Sequence, residues 1–212
     1  SATGTASATT FLRGDNAWAA AGGEFADGGE AGGGNRSLGN TDAYDFSFET
    51  NDVAHLVIEG AGGVSGGQGI IDMPQQSSIS VWGSVATSVA SSSTKITFGT
   101  ELWDNQNEFD SATNNRFTAT KAGIYLVHSS VRMLSVGLNN VLSMMIKVDG
   151  SVETAFSQIP NAENINPFLT GTAIVKLTAS QYVEIWCYHN DSSSRNSQAA
   201  IYSTFLNIHK LS

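Results

Sequence analysis

Few side chains of this chain combine the residue types and spacing that catalysis or metal binding requires. The carboxylate pairs Glu101–Asp104 and Glu108–Asp110 have the chemistry of a glycosidase, but acids in the turns of a β domain are more often simply solvated. A nucleophile elbow and a phosphate-binding loop are both absent. The histidines match no metal-ligand spacing; they are His55, His128, His189 and His209. We therefore predict no enzyme, no catalytic residue and no cofactor.

The single cysteine, Cys187, lies inside an apolar run from Val183 to Tyr188. A lone cysteine cannot form a disulfide within the chain, and nothing nearby suggests a catalytic dyad. We interpret Cys187 as a buried small hydrophobic side chain.

Binding chemistry is concentrated in three polar segments that separate apolar stretches. Asn and Asp side chains can bond sugar hydroxyls, although they are also ordinary turn formers. Two interpretations stay open, a surface that binds a glycan or another outer-surface receptor, and plain solvated loops. The receptor-binding candidates are Asn139 and Asn140 in the first segment, Asn161, Glu163, Asn164 and Asn166 in the second, and His189, Asn190, Asp191, Arg195 and Asn196 in the third.

The elements that position these segments are predicted β-strands. The clearest is 141–149, where apolar Leu142 and Met144 alternate with Ser143 and other polar residues, and Asp149-Gly150 predicts a hairpin turn. Antiparallel alternation places the segments 134–140, 158–167 and 189–199 at one end of the domain and both of its termini at the other. The predicted strands are 79–86, 94–99, 114–118, 123–133, 141–149, 151–158, 168–178, 181–189 and 200–210.

Several of these strands are apolar on both faces. In 123–133, Ile124 and Leu126 lie opposite Tyr125 and Val127. In 181–189, the side chains of Val183, Ile185 and Cys187 oppose those of Tyr182, Trp186 and Tyr188. One face fills the core of a sandwich, so the other needs a second cover, which we expect to be a subunit interface.

A spaced set of aromatic residues resembles a known family signature. Five residues separate Phe98 from Asp104, four separate Asp104 from Phe109, seven separate Phe109 from Phe117, five separate Phe117 from Gly123, and one separates Gly123 from Tyr125. The pattern resembles the globular head of complement C1q, a trimeric jelly roll of the tumour-necrosis-factor superfamily, with one residue inserted between Phe109 and Phe117. The segments 182–186 and 202–206 resemble the last two strands of that family.

The resemblance implies an all-β jelly-roll sandwich, a homotrimer and a recognition module. It implies a framework of Phe98, Phe109, Phe117, Gly123, Tyr125, Trp186 and Phe205. Many such heads bind Ca²⁺ near the trimer axis through oxygen ligands, and the loop of Asp191 is the nearest equivalent here. No motif matches residue by residue, so calcium is not assigned.

Residues 1–75 differ from residues 76–212 in composition, and we predict two domains with this division. The first part holds most of the 22 glycines, in clusters between short apolar runs such as 44–48 and 55–58. Such runs cannot form a core within one chain. They suit a shaft of three intertwined chains, with a disordered linker as the alternative.

Two phrases in this part resemble elements of bacteriophage tail fibres. The first is Thr10-Phe11-Leu12-Arg13-Gly14-Asp15-Asn16-Ala17-Trp18, which is similar to a phrase that joins shaft modules. The second spans residues 36–64, with an aromatic strand, a Glu-Thr-Asn turn, a short apolar strand and a Gly-rich exit. We interpret Arg13-Gly14-Asp15 as a tight turn and not as an integrin motif.

The composition limits the partners. The formal net charge is -9, and the 10 Lys and Arg residues are scattered, so we predict no nucleic-acid binding. No apolar stretch approaches the ~18 residues that span a membrane, so we predict no membrane insertion. We expect the chain to be the C-terminal piece of a longer protein, since it opens with neither a secretory signal nor a Met.

Together these features predict the tip of a virion tail fibre. The N-terminal side would join the rest of the fibre or tail, and the homotrimeric tip would bind a bacterial surface receptor. Three alternatives remain: a capsid head fibre or decoration protein, a cellular or secreted adhesin with a complement-like head, and a fibre-borne enzyme that degrades polysaccharide. The glycines lack the period of three that a collagen-bearing secreted protein would show.

Overall fold

The structure is a computed structural model that describes residues 5, 10–12, 18–20, 43–60, 71–160 and 166–212. These residues form β-strands, turns and loops and contain no helix, which confirms the predicted all-β class. Accordingly, no helix in the described ranges has the length and apolar character of a membrane span. The chain divides into two compact units, Ser1–Asp42 and Ala43–Ser212. The predicted boundary near residue 75 stays a prediction, as does the trimeric shaft.

In the first unit, the phrase that resembles a fibre element forms an antiparallel pair of strands. Strand β1 (Thr10–Leu12) pairs with β2 (Trp18–Ala20), so that Leu12 lies opposite Trp18. The predicted tight turn at Arg13-Gly14-Asp15 lies outside the described residues.

The second fibre-like phrase forms a hairpin. Strand β3 (Phe46–Thr50) pairs with β4 (Val53–Ile58), and β5 (Ile71–Asp72) adds to β4. The connecting residues Asn51 and Asp52 have φ values of 52° and 59°. A two-residue hairpin turn of type I′ requires this left-handed conformation at both of its central residues. The predicted order of strand, turn and strand is therefore present here.

Residues 78–210 build a sandwich of two antiparallel sheets. Sheet I has the order β10-β11-β16-β13-β14, with β8 also paired to β16, and sheet II has the order β15-β12-β18-β6-β9. A short pair, β7 with β17, lies outside both sheets. The strands are β6 (Ser78–Trp82), β7 (Ser88–Val89), β8 (Thr94–Lys95), β9 (Thr100–Asp104), β10 (Phe109–Asp110), β11 (Arg116–Thr118), β12 (Gly123–Arg132), β13 (Val141–Val148), β14 (Ser151–Pro160), β15 (Phe168–Leu177), β16 (Tyr182–His189), β17 (Arg195–Asn196) and β18 (Phe205–Lys210).

The aromatic signature residues form the core between the sheets. Phe98, Phe117 and Tyr125 are almost completely buried. The rings of Phe117 and Tyr125 meet edge to face at 5.5 Å, and those of Phe98 and Phe109 at 6.4 Å. The Tyr125 hydroxyl donates to the Lys121 carbonyl at 2.7 Å, which satisfies its polar end inside the core. Burial, followed by the nearby Glu108 carboxylate, raises the pKa of Tyr125.

Gly123 is glycine because another part of the chain passes against its Cα. A Cβ at this position would lie 2.2 Å from the Ser212 carbonyl oxygen and 2.6 Å from Lys210 Cε. The contact is part of a ladder in which Ile124 N–H donates to Ser212 and Leu211 N–H donates to the Ile124 carbonyl. The signature glycine thus lets the end of the chain lie directly beside β12.

The sequence predicted the long strands well and the short ones poorly. The strands predicted from 123 to 189 match β12 to β16 within two residues. The strand predicted at 200–210 begins only at Phe205, because 200–204 is a turn in which Ser203 and Thr204 donate to the Ala200 carbonyl. Strand β9 at the edge of sheet II was not predicted. Three of its five residues are exposed, so apolar and polar side chains do not alternate along it, and the register shifts opposite it between Ser80 and Val81 of β6.

Candidate functional site

The polar segments predicted to bind a partner lie at one end of the sandwich. Strands β12, β14 and β16 end there, and β13, β15 and β18 begin there. We call this the loop end, and the opposite end the base. Ser78 pairs with His209, so the chain enters sheet II at the base, and its last strand returns there. The predicted polarity of the domain is therefore present in the strand register.

Asp191 holds the loop end together from inside. Its carboxylate is buried and accepts hydrogen bonds from Gly137 N–H at 2.8 Å and from Arg195 Nε at 2.8 Å through one oxygen. The other oxygen accepts from Ser193 N–H at 3.3 Å. The Arg195 bond, then that of Gly137, holds the pKa of Asp191 well below its usual range. Asp191 thus joins the segment 133–140 to the segment 190–204.

His189 is also part of this internal framework. It is fully buried, its Nδ1 accepts from Asp191 N–H at 3.2 Å, and its Nε2 lies 2.9 Å from the Val89 carbonyl. These partners fix the neutral tautomer with the proton on Nε2. His189 and Asp191 were predicted as receptor contacts; the structure places both inside the single chain, where they support the loops.

The asparagines have mixed positions. Asn190 Oδ1 accepts from Val141 N–H at 2.7 Å and Asn166 Oδ1 accepts from Ser135 N–H at 2.7 Å, so both side chains fix neighbouring loops while remaining exposed. Asn139 and Asn196 are exposed and Asn140 is half-buried. Asn161, Glu163 and Asn164 lie outside the described residues.

The sequence reasoning missed the apolar side chains of the loop end. Val85 and Tyr202 are each 71% exposed, Leu138 is 56% exposed and Ile201 is 46% exposed. Tyr202 and Ile201 were assigned to a predicted strand, and Val85 to the end of another. For Ile201 and Tyr202, the one signal in the sequence was that apolar and polar residues do not alternate in 200–204.

A second candidate surface is the outer face of sheet II. Its core-facing side chains include Tyr125, Val127 and Ile208, so alternation turns Ile124, Leu126 and their neighbours outward. Register places Leu126 beside Ile174 on one side and His209 on the other. The apolar and aromatic residues of this face, all incompletely buried, are Trp82, Trp103, Ile124, Leu126, Phe168, Ile174 and Phe205.

Polar groups lie in the middle of this apolar face. Asn207, on the central strand, lies between His128 and Ser80 in the register. Its Oδ1 is buried and has no hydrogen-bond partner in the described part of the chain. His128 bonds the Thr172 hydroxyl at 2.8 Å, and its ring lies 5.3 Å from that of Phe205. A buried unpaired carbonyl oxygen costs about 1–3 kcal/mol, so this face is incomplete in the single chain.

The outer face of sheet I is different. Lys147 Nζ lies 3.7 Å from the centre of the Trp186 ring, and the guanidinium of Arg116 lies 4.2 Å from that of Tyr182. The Trp186 indole N–H donates to Glu184 at 2.9 Å, and Lys95 pairs with that carboxylate at 3.0 Å. Charged side chains of the same chain therefore lie over the aromatic rings of this face. The expectation that a subunit covers the outer face of 181–189 stays a prediction.

Two relatives of the chain are known from sequence. The uncharacterized protein YqcC of Bacillus subtilis is 31% identical over 115 residues, which make up 51% of this chain and 31% of YqcC. The phage-like element PBSX protein XkdV of the same organism is 31% identical over 101 residues, 44% of this chain and 15% of XkdV. The chain thus spans less than a third of the length of either relative. No family model matches it.

Solved structures match the sandwich. The globular domain of zebrafish complement 1qA covers 65% of this chain and 98% of its own length, with a TM-score of 0.50 and 17% identity. Murine APRIL at pH 5.0 covers 65% of this chain and all of its own length, with a TM-score of 0.50 and 13% identity. The fold is the jelly roll of complement C1q and tumour necrosis factor. The predicted fold class is confirmed.

The acids of this jelly roll that resembled a glycosidase pair have structural partners. A cleft of about 500 Å³ at the base is lined by Glu108 and Asp110. Glu108 accepts from Thr120 N–H at 2.8 Å and from the hydroxyls of Thr120 and Ser77. Asp110 accepts from the backbone N–H groups of the turn 112–114, chiefly Thr113, which lowers its pKa. Both carboxylates are therefore committed to holding turns.

The second pair is committed in the same way. Asp104 accepts from Phe109 N–H at 2.7 Å, and Glu101 accepts from the Ser111 hydroxyl at 2.7 Å. Each of these two carboxylates thus has a structural partner within the domain.

Calcium and thiol chemistry also fit this domain poorly. The described residues contain no cluster of three or more His, Cys, Asp or Glu side chains that could hold a metal ion. Both oxygens of Asp191 already accept hydrogen bonds from protein donors, so the loop does not fit the oxygen cage that Ca²⁺ prefers.

Cys187 is buried in the core, and desolvation raises the pKa of its thiol far above the usual range. It packs as a small hydrophobic side chain.

Proposed function

We propose that this chain forms the distal end of a phage tail fibre, a homotrimeric tip that binds a receptor on the bacterial surface. Its N-terminal side would connect to the rest of the fibre or tail, and the protein would be a component of the virion. The observation that carries the proposal is the pair of surfaces on one jelly roll, an uncovered apolar sheet face and a braced loop end opposite the base.

The apolar face of sheet II supports the trimer. An exposed patch of this kind is rare on a monomer and marks an interface. Ile174 is 66% exposed and Trp103 is 46% exposed, while no described residue donates to Asn207 Oδ1. A second copy would cover the side chains of Ile174 and Trp103 and would donate a hydrogen bond to Asn207 Oδ1. On sheet I, charged side chains of the same chain already lie over the rings of Tyr182 and Trp186, so this face would be left to solvent.

The braced loops support recognition. Asp191, Asn166 and Asn190 bond backbone groups of neighbouring segments, so the described loops of this end are tied to one another before any ligand arrives. Rigid loops lose little entropy on binding, and three copies on one axis add their weak contacts through avidity. Because the sandwich begins and ends at the base, the loop end would point away from the rest of the fibre.

The relationship to a phage-like element protein supports the setting. XkdV is described by its name as part of the element PBSX, and its similarity covers 44% of this chain. Together with the two fibre-like phrases before residue 75, it favours a phage particle over a secreted adhesin. A capsid head fibre shares these features and differs only in where the particle carries the chain.

Three experiments test the proposal. Light scattering of the purified chain should give the mass of three copies, and a monomer at micromolar concentration would contradict it. Saturating trimer, added to host cells before the phage, should block adsorption; undiminished adsorption would refute the receptor role. Antibody labelling of intact particles in electron micrographs should mark fibre ends, whereas labelling of the capsid would favour the head fibre.

A further inference from the structure

Tyr202 is displayed on a rigid turn at the loop end. It is 71% exposed, although the next two residues, Ser203 and Thr204, are completely buried. Both of their N–H groups donate to the Ala200 carbonyl at 3.0 Å, and the Thr204 carbonyl accepts from Gly83 N–H at 2.9 Å. The backbone on the C-terminal side of the ring is therefore fixed. Such a ring offers a large contact area at a low entropy cost on binding.

Other exposed apolar side chains lie at the same end. Phe205 pairs with Trp82, so the segment that follows Trp82 runs out beside the turn that precedes Phe205. That places Val85, 71% exposed, on the segment adjacent to Ile201 and Tyr202. Around them the segments 83–93 and 190–204 are rich in Ser, Thr, Asn and Gln. The surface thus combines an aromatic ring with many neutral hydrogen-bonding groups.

The described segments of the loop end carry almost no free charge. In the described segments 83–93, 133–140, 166–167 and 190–204, the charged side chains are Asp191 and Arg195, which pair with each other at 2.8 Å. Arg132, at the border of this region, lies over the Phe168 ring at 4.9 Å and donates to Gln198 at 3.0 Å. These described segments therefore contribute nothing to the net charge of -9, because the charges of Asp191 and Arg195 cancel. An anionic polymer would find no cluster of cations here, and a cationic one no cluster of acids.

We infer that the loop end binds a neutral saccharide, with Tyr202 as the stacking platform. This inference rests on the proposed receptor role and names its ligand class. The C–H face of a pyranose packs on the phenol ring, as apolar groups pack on aromatic faces elsewhere. Exposed amides and hydroxyls such as Asn196 and Ser192 bond the sugar hydroxyls. Since no ion pair contributes, binding is insensitive to ionic strength.

The test uses immobilised bacterial surface polysaccharides of three kinds: neutral, phosphate-bearing and uronate-bearing. The wild-type trimer should bind neutral polysaccharides, with equal affinity at low and high salt. Tyr202→Ala should weaken each site about tenfold or more, the size of a lost aromatic contact, and avidity enlarges the loss in the trimer. Tyr202→Phe keeps the ring and should bind normally. Tyr44→Ala, which removes another exposed tyrosine outside the loop end, is the matched control.

The outcomes separate this inference from the proposed function. Adsorption blocking that persists in Tyr202→Ala, or binding confined to charged polysaccharides and lost in salt, would overturn the inference and leave the receptor role intact. If Tyr202→Ala dissociates the trimer, the ring belongs to the subunit interface and the inference is wrong. If wild-type trimer blocks no adsorption yet binds neutral polysaccharide through Tyr202, the inference stands and the receptor role falls.

Discussion

Replacing Ile174 by Asp tests whether the outer face of sheet II is the subunit interface. Burying an isoleucine fully is worth about 1.5–3 kcal/mol. Because Ile174 is 66% exposed in the single chain, a partner that covers it gains about 1–2 kcal/mol per copy. Three copies give about 3–6 kcal/mol, which raises the dissociation constant of the trimer by roughly 10²–10⁴. The buried carboxylate adds a further cost, since Asp is too short to reach water from a covered site.

The control is Val152→Asp on strand β14 of sheet I. Val152 is 57% exposed, has the same β-branched shape and receives the same charge. Sedimentation velocity over a dilution series should show monomer for Ile174→Asp at concentrations where wild type and Val152→Asp remain trimers. Circular dichroism should be the same for all three. A stable Ile174→Asp trimer at every dilution, or dissociation of Val152→Asp alone, would refute the assignment of this face.

Three further predictions concern the framework. Gly123→Ala should lower the free energy of unfolding by about 1–3 kcal/mol in urea titrations, because its Cβ meets the Ser212 backbone at 2.2 Å; an unchanged midpoint would show that the ladder can shift. Asp191→Asn should be less stable than wild type at neutral pH. A carboxyl group whose pKa is lowered in the folded state stabilises the protein at pH values above its unfolded pKa of about 3.9. This stabilisation is lost as the pH falls toward the folded pKa. The difference in stability between wild type and Asp191→Asn should therefore begin to close below about pH 4. A gap independent of pH would contradict this. Cys187 should react with a thiol reagent only at the rate of unfolding, and rapid labelling of native protein would place it outside the core.

The fold was predictable because alternation and aromatic spacing report directly on burial. Phe117 and Tyr125 of the signature are buried in the core, where a position tolerates few side chains. Short strands such as β7 and β17 were not predictable, because two residues carry no period. Cation–π cover of the Trp186 ring was invisible for another reason: Lys147 is distant in sequence and reaches the ring only through the pairing of β13 with β16.

The loop end shows where composition misleads. Asp, His and Asn were predicted to contact a receptor because they are polar and lie between strands. The same chemistry satisfies backbone N–H groups that a loop cannot pair by itself, and Asp191, His189 and Asn190 are used in this way. Several polar side chains of the loop end are thus used to hold its own loops.

The side chains that remain available to a partner are those whose positions are not explained by contacts within the described part of the chain. Tyr202 lies beside two buried residues, yet 71% of its side chain stays in water, so the fold of the single chain makes little use of its apolar surface. The same reasoning selects Ile174 and Asn207 on sheet II, one an exposed apolar group and the other a buried unpaired oxygen. Each surface is marked by residues whose contacts are incomplete in the described part of the single chain. A trimer would cover Ile174 and Asn207 on the sheet, and a ligand would cover Tyr202 at the loops.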